Sequence, residues 1–271
     1  MKKDFEKLIE VYGEVQTLIT PSGHEVTIRM QTGEDDDILS NAKGVLDGSS
    51  TNRFISGIVV HTDITDNGKM NLDDARSLKL CDRYFIMIAS RIFSIGQTVK
   101  FKYKWPDRND IEDYNNEIEY EEDLGVFIWD YHNPDNLFPF KGHEEYFSER
   151  IQEHQGGKDI CRELTLKSKK VLRYNYMNGH AEKWLMSLPE ERQTVNSGII
   201  SRNLEQKINE KWVKVHNFKT FTPQDMREIR NDVLEFDPAI NLITELKHPQ
   251  SKETIEYPIV ASPDFFFPRE I

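Results

Sequence analysis

One loop of the chain has oxygen-bearing side chains at the spacing of a calcium site. The segment DITDNGKMNLDD places Asp63, Thr65 and Asn67 at the first, third and fifth positions of such a loop. Gly68 follows at the sharp turn, and Asp74 stands at the last position, where calcium loops use a bidentate Glu. Thr is a poor third ligand and Asp is shorter than Glu, so the match is partial. The loop allows a calcium-regulated binding module, and an ordinary Asp-Asn-Gly turn between two helices is the alternative.

Other residue types that could do chemistry lack partners at catalytic spacing. The chain has two cysteines and eight histidines, and no histidine lies at metal-ligand spacing from another histidine or a cysteine. Cys81 precedes Asp82 and Arg83 on an apolar helix, which favours a buried structural thiol over a nucleophile. No phosphate-binding, HExxH, GxSxG or CxxC motif occurs. The sequence therefore predicts no catalytic residue and no cofactor, and a cytoplasmic enzyme with a dispersed active site is the alternative.

Charge and composition limit the possible partners. The 271-residue chain has a formal net charge of −12, which argues against nucleic acid because phosphate binding needs clustered Lys and Arg. No apolar run approaches the roughly 18 residues needed to cross a bilayer, and the N-terminus lacks the apolar stretch of a signal peptide. Two separated cysteines favour a reducing compartment. We expect no membrane insertion, and a protein or a small molecule as partner.

The elements that position these residues occur twice along the chain. A strand that enters a glycine-led helix occurs at residues 26–39 and again at 172–185. Its two glycines are Gly33 and Gly179, and the offset between them is 179 − 33 = 146. A single match of this kind could arise by chance, because a strand that enters a helix is a common unit.

Three further landmarks come in the same order. Asp82 and Asp225 open two helices, and the offset between them is 225 − 82 = 143. Pro106 and Pro249 each lie in a turn after an alternating strand, and their offset is again 249 − 106 = 143. An acidic-apolar alternating strand follows each turn, and its acidic residues are expected on the solvent side. Landmarks in one order at nearly constant offset predict an internal duplication.

The predicted fold class is α+β, with two duplicated units that each contain a strand, helices and a two-stranded ribbon. The first unit, with a leading helix, is predicted at residues 1–128 and the second at 161–271. Residues 129–160 are rich in Pro, Asn, Asp and Gly and are predicted to be a linker. The duplication also predicts that residues 24–124 superpose on 170–260. Chance similarity between two common strand–turn–strand units is the alternative.

Three segments resemble the baseplate hub and hub-assembly proteins of T-even-type contractile-tailed bacteriophages. They are TPSGHEVTIRMQTGEDDDIL, the helix CDRYFIMIASRIFSIG and the closing PDFFFP. The resemblance covers most of the chain through short motifs. It implies a non-enzymatic protein of the virion tail or baseplate, made in the host cytoplasm, that is a structural component or an assembly factor. Its partners would be other phage tail or baseplate hub proteins.

The resemblance also bears on the two ribbons. In many proteins of this kind both ribbons carry Cys-Pro-x-Cys knuckles that bind zinc, whereas the corresponding turns here read WPDR, from Trp105, and HPQS, from His248. The prolines remain, but a thiolate site cannot be built without cysteine. The resemblance therefore implies ribbons that are zinc-knuckle-like without the metal. Trp105, cross-strand pairs and turn contacts are expected to stabilise each ribbon instead.

The closing segment contains the predicted partner contact. Phe265, Phe266 and Phe267 stand next to Pro268 and offer a compact apolar anchor for another protein. The alternative is that the same residues fold back as a strand that closes the core of the second unit.

Overall fold

The computed structural model describes residues 2–41, 44, 49–128, 161–237, 240 and 242–259. These residues form helices and antiparallel strand pairs, which confirms the predicted α+β class. The predicted linker at 129–160 and the closing Phe265, Phe266, Phe267 and Pro268 lie outside the described residues. No helix in the described part of the chain is long and apolar enough to cross a membrane.

Within the described residues, the first unit has a leading helix, a three-stranded sheet, four further helices and a ribbon. The sheet has the order β1 (Val15–Ile19), β2 (Glu25–Arg29), β3 (Val59–Thr62), with all pairs antiparallel. The helices are α1 (Lys2–Tyr12), α2 (Gly33–Leu39), α3 (Ser49–Ile58), α4 (Leu72–Ser77) and α5 (Leu80–Ile95). The ribbon pairs β4 (Thr98–Lys104) with β5 (Glu117–Asp123), and a short 3₁₀ turn follows at Leu124–Phe127.

The described part of the second unit has a four-stranded sheet, three α-helices and its own ribbon. The sheet order is β6 (Cys161–Thr165), β7 (Val171–Asn175), β8 (Glu205–Ile208), β9 (Lys211–Lys214). The helices are α6 (Gly179–Met186), α7 (Val195–Ser201) and α8 (Pro223–Phe236), with a 3₁₀ turn at Glu190–Arg192. The ribbon pairs β10 (Ile243–Lys247) with β11 (Thr254–Pro258).

The two units repeat one order of elements at nearly constant spacing. β1, β2, α2 and β3 correspond to β6, β7, α6 and β8, because 161 − 15, 171 − 25, 179 − 33 and 205 − 59 all equal 146. For α5 and α8 the offset is 223 − 80 = 143. Within each sheet the second strand pairs with the third, so β2–β3 corresponds to β7–β8. This order is what a duplication predicts, and superposition of 24–124 on 170–260 stays a prediction.

The hairpin turns of the two sheets have matching geometry. The Gly23 N–H donates to the Thr20 carbonyl and the Lys169 N–H donates to the Leu166 carbonyl, both at 2.8 Å. The two donors have left-handed backbones, with φ of 82° at Gly23 and 65° at Lys169. The second unit therefore keeps a conformation that costs a non-glycine residue energy, which shows how strongly the hairpin specifies this turn.

The long helices differ in burial as their sequences predict. α5 is buried on most sides, and Gly96 ends it with a φ of 115°. α8 is amphipathic and buries Ile229 and Val233 on one side. Thr222 and Asp225 form a capping box at its start, with Pro223 in the first turn. α5 therefore forms the centre of the first core, and α8 covers the sheet of the second unit.

The two units contact each other where α5 begins. The Leu80 N–H donates to the Met177 carbonyl at 2.7 Å. A Cβ on Gly179 would lie 3.0 Å from the Arg76 carbonyl oxygen, so glycine permits this close approach. Pro223 takes the position of Leu80 in the second unit and has no N–H to donate. The contact is therefore particular to the first long helix.

The second ribbon packs with the first unit. Ile240 and Ile259, at the base of the β10–β11 ribbon, are buried in the same core as Phe85 and Leu124. The predicted unit boundaries follow the chain, whereas this part of the core contains residues from both units. The ribbon pair is therefore a shared structural element.

Candidate functional site

The candidate site is the junction of the two ribbons, and strand alternation creates its faces. On β4 the exposed residues Lys100, Lys102 and Lys104 alternate with partly buried Phe101 and Tyr103. The lysines lie opposite the glutamates of β5, so the acidic side chains face solvent as expected. Such cross-strand pairs stabilise the outer face modestly. The aromatic face of β4, with Phe101 and Tyr103, therefore packs against another part of the protein.

The aromatic face of the first ribbon packs on the second ribbon. Phe101 stacks on Tyr257 with ring centroids 5.1 Å apart and an interplanar angle of 7°. Tyr103 meets the same Tyr257 ring edge-on at 5.5 Å. Each pair of this kind contributes about 0.5–1.5 kcal/mol beyond the area it buries. Neither two-stranded ribbon could bury its apolar face alone, and together they can.

The two aromatic-Pro turns meet at the end of this interface. The Trp105 and His248 rings are 5.3 Å apart at 81°, and Tyr114 stacks on His248 at 4.6 Å. Trp105 is 2% exposed and His248 is fully buried. In the predicted duplication Trp105 and His248 occupy equivalent positions, since 248 − 105 = 143. Contact between equivalent positions is the property of a two-fold interface, here formed within one chain.

The His248 imidazole connects its own turn to the opposite ribbon. Its Nδ1 accepts from the backbone N–H groups of Gln250 and Ser251, both at 3.1 Å. Its Nε2 lies 2.9 Å from the Asn115 carbonyl oxygen. Because Nδ1 accepts two bonds and a carbonyl cannot donate, this network assigns the proton to Nε2. Both nitrogens of a neutral ring are therefore used.

Side chains next to His248 add further bonds between the ribbons. The Gln250 amide donates to the Asp113 carbonyl and accepts from the Asn115 N–H, both at 3.0 Å. The Tyr120 hydroxyl accepts from Trp105 Nε1 at 2.9 Å and donates to the carbonyl of the last residue of β10 at 3.2 Å. Trp105, Tyr120, His248 and Gln250 thus have hydrogen-bond partners in the junction, whereas the buried Tyr114 hydroxyl has none among the described residues.

An exposed ion pair spans the outside of the turns. Arg108 donates to Asp110 at 2.7 and 2.8 Å and also to the Glu253 carboxylate of the second ribbon. Hydrogen bonding from Arg108 lowers the pKa of Asp110 to about 2. Because these groups are exposed, the pair contributes little to stability and mainly fixes the relative position of the turns.

The resemblance implies zinc at such a pair of turns, and the residues here do not fit it. The first positions hold Trp105, which has no ligand atom, and His248, whose nitrogens are both hydrogen-bonded. The fourth positions hold Arg108 and Ser251 in place of thiolates. Among the described residues no group of three or more His, Cys, Asp or Glu side chains could hold a metal. Ring packing and hydrogen bonds close the junction instead.

The four candidate calcium ligands serve as turn and cap residues. Asn67 Oδ1 accepts from the Thr65 hydroxyl at 3.1 Å, inside the turn. Asp74 accepts from the Asn71 N–H at 2.9 Å in the capping box of α4. Asp63 Oδ1 accepts from the first amide of β2 at 3.1 Å. These oxygens bond to protein groups in separate places, which favours the Asp-Asn-Gly turn over a calcium loop.

The two thiols differ in environment. Cys81 is buried in the first core, and burial, followed by the neighbouring Asp82 charge, raises its pKa well above the ordinary thiol value. A thiol of this kind is unreactive, which agrees with the structural role predicted for it. Cys161 is exposed at the start of β6, and partial burial raises its pKa as well.

Tyr114, Asn115 and Gln250 belong to the site but were not predicted from the sequence. All three lie in polar turns, where such residues are common for local reasons. The signal in the sequence was the apolar face of the second ribbon, since Tyr257 alternates with exposed residues along β11. Two half-apolar ribbons in one chain favour mutual packing.

Comparison with known proteins adds no relative. No protein-family model matches the chain, and neither the curated proteins nor the solved structures give a match. The likeness to phage hub proteins therefore remains a resemblance of short motifs.

Proposed function

We propose that this chain is a non-enzymatic protein of the baseplate hub region of a contractile-tailed bacteriophage. It acts through protein–protein contacts, as a structural component of the tail or as an assembly factor for the hub. It is made in the host cytoplasm and functions at the tail baseplate. Its partners are other tail or hub proteins.

The observation that carries this proposal is the contact between Trp105 and His248. The resemblance implies two ribbons with knuckle-like turns that lack the metal, and in this chain the rings at the first positions of the two turns contact each other. A metal-free junction that joins both units gives a rigid platform for other proteins. The hydrogen-bonding groups of Trp105, His248 and Gln250 bind other groups of the junction and are not directed at a substrate. This geometry supports a binding role.

The proposed partner contact is the closing segment with Phe265, Phe266, Phe267 and Pro268. Consecutive aromatic side chains bury a large area while few rotatable bonds lose their freedom, which suits an anchor in a protein interface. The prolines at 263 and 268 stiffen the segment on both sides. We assign the segment to partner binding on this chemistry.

Deleting the gene from the phage that encodes it tests the function. The proposal predicts particles without functional baseplates, or free tails and heads that do not join. Mass spectrometry of purified wild-type particles then separates the two roles, because a structural component stays in the particle and an assembly factor does not. Complete particles with normal baseplates from the deletion phage would overturn the proposal.

A further inference from the structure

A groove crosses the surface of the second unit between α6, α7 and the end of β9. Its volume is about 260 Å³. Trp184, Ile200, Leu204 and Val215 provide its apolar wall, and Trp184 is 42% exposed. An indole that lines a groove while half exposed offers a face for another ring.

The groove has a charge opposite to that of the chain. None of its lining residues is acidic, although the chain carries 47 Asp and Glu. Lys214 and His216 line the groove at the end of β9. Lys214 lies opposite Glu205 across the β8–β9 pair, and the Glu205 carboxylate forms its ion pair with Arg173 at 2.5 Å. His180 lies on the other side, 3.6 Å from Asp73 of the first unit. The groove is thus a cationic, partly apolar site on an acidic protein.

The first unit has an ion pair at the positions that correspond to this part of the groove. There the Arg29 guanidinium binds Asp35 at 2.7 and 2.9 Å and the Gly57 carbonyl at 3.1 Å. At the constant offset, Asp35 corresponds to Ala181 and Gly57 to Asn203, since 181 − 35 and 203 − 57 are both 146. Ala181 and Asn203 both line the groove. The two positions that the Arg29 side chain bridges in the first unit therefore correspond to residues that line the groove in the second.

We propose that this groove binds a peptide segment of a partner protein in which a carboxylate side chain adjoins an aromatic one. The ring packs on Trp184 and the neighbouring aliphatic side chains, and the carboxylate binds Lys214. An acidic partner is favoured by charge complementarity, since no lining residue is acidic and the Glu205 carboxylate opposite Lys214 is paired with Arg173. This inference rests on the proposed binding role and names a second surface for it.

A peptide titration followed by amide and indole NMR shifts tests the site. The probe is acetyl-Asp-Phe-Phe-amide, and its matched control is acetyl-Asn-Phe-Phe-amide. We expect saturable shifts of the Trp184 indole N–H and the Val215 amide, with about tenfold weaker binding of the control, as loss of one charge-assisted bond implies.

Variants of the groove locate the interaction. Lys214→Glu should abolish the preference for the Asp peptide, and Trp184→Ala should weaken both peptides about tenfold. Lys211→Glu is the matched control, because Lys211 lies on the same strand, is exposed and does not line the groove. Unchanged affinity in Lys214→Glu, or an effect of Lys211→Glu as large, would overturn the assignment.

The chain itself contains an Asp-Phe-Phe sequence at Asp264, Phe265 and Phe266, so a protein with these residues replaced by Asn-Ala-Ala is titrated in parallel. If the peptide binds this variant but not the wild type, the groove has the proposed specificity and the chain's own segment competes for it. The proposal is wrong if neither protein shows saturable shifts at the groove, or if both peptides bind equally well. Either failure leaves the outcome of the gene deletion unaffected.

Discussion

Asp82 and Asp225 lie at the third position of the two long helices, and each carboxylate binds the hairpin turn of its own unit. Asp82 accepts from the Ser22 N–H at 2.9 Å, and Asp225 accepts from Lys170 at 2.6 Å. Both are 1% exposed. Burial raises the pKa of Asp82, whereas the hydrogen bond from Lys170 first of all lowers that of Asp225. The two aspartates thus occupy the same place in their units, but their pKa values are shifted in opposite directions.

The opposite pKa shifts predict that replacing each aspartate by asparagine changes the free energy of unfolding differently. Asp225→Asn should reduce the free energy of unfolding at pH 7 by roughly 2 kcal/mol, because Lys170 loses its charged partner. Asp82→Asn should leave stability unchanged or raise it, because the amide keeps the acceptor for Ser22 and removes a buried charge. Urea unfolding of both variants at pH 7 checks this. An equal loss in both would contradict the assigned pKa directions.

The pH dependence follows from the same shifts. The folded pKa of Asp225 is lowered, so its contribution is complete above the unfolded value of about 3.9 and is lost as pH falls towards the folded value. The difference between wild type and Asp225→Asn should therefore shrink between pH 4 and pH 2. The folded pKa of Asp82 is raised, so its effect has the opposite sign, and its ionisation costs stability as pH rises from the unfolded value of about 3.9 towards the folded value. Unfolding curves between pH 2 and pH 4 measure the Asp225 effect, and curves from pH 4 upwards measure that of Asp82.

Replacing Trp105 tests how the ribbons are stabilised. Trp105→Ala should cost roughly 3–5 kcal/mol, since it removes a buried ring and leaves His248 without its neighbour. Lys102→Ala, on the exposed face of the same strand, is the control and should change stability by less than about 0.5 kcal/mol. Similar, small losses in both variants would show that the ribbons do not depend on this junction.

Metal analysis tests the absence of zinc from the junction. The dialysed protein should contain far less than one zinc per chain, and EDTA should not change its Tm. The combined variant Trp105→Cys, Arg108→Cys, His248→Cys and Ser251→Cys should instead bind about one zinc and gain Tm when the metal is added. About one equivalent in the wild type would show that His248 has ligands other than its observed hydrogen-bond partners.

We expect variants of the closing segment to lose partner binding while keeping their stability. Phe265→Ala with Phe267→Ala should leave the Tm of the isolated protein unchanged while complex formation with tail proteins fails, because the rings anchor a partner. Leu234→Ala is the control for loss of an exposed apolar side chain, since Leu234 is 75% exposed on α8. A loss of several kcal/mol in the double variant would show that the rings pack on their own unit. Normal stability with normal assembly would exclude both roles.

Local sequence signals predicted much of the fold. Asp82 and Asp225 marked the starts of two helices, and each lies in the first turn of a long helix. The strands β1, β3, β6, β8 and β9 were missed because they are short and carry mixed polar residues. Strands of this kind are fixed by pairing across the sheet, which a local pattern does not contain.

The site was predicted only in part. Trp105 and the two turns were identified, but alternation along β4 shows only that Phe101 and Tyr103 share one face, and not that Tyr257 covers it. The loop from Asp63 was ambiguous for a different reason. Asp and Asn oxygens at short spacing suit calcium, turns and helix caps alike, and only the observed donors decide among them.

The proposed function depends most directly on the contact between Trp105 and His248. A double-mutant cycle with Trp105→Ala, His248→Ala and the combined variant measures this contact by urea unfolding. We predict a coupling energy of about 0.5–1.5 kcal/mol, as for other edge-to-face ring pairs in a buried site. Additive losses, with no coupling between the two positions, would contradict the pairing of the two turns.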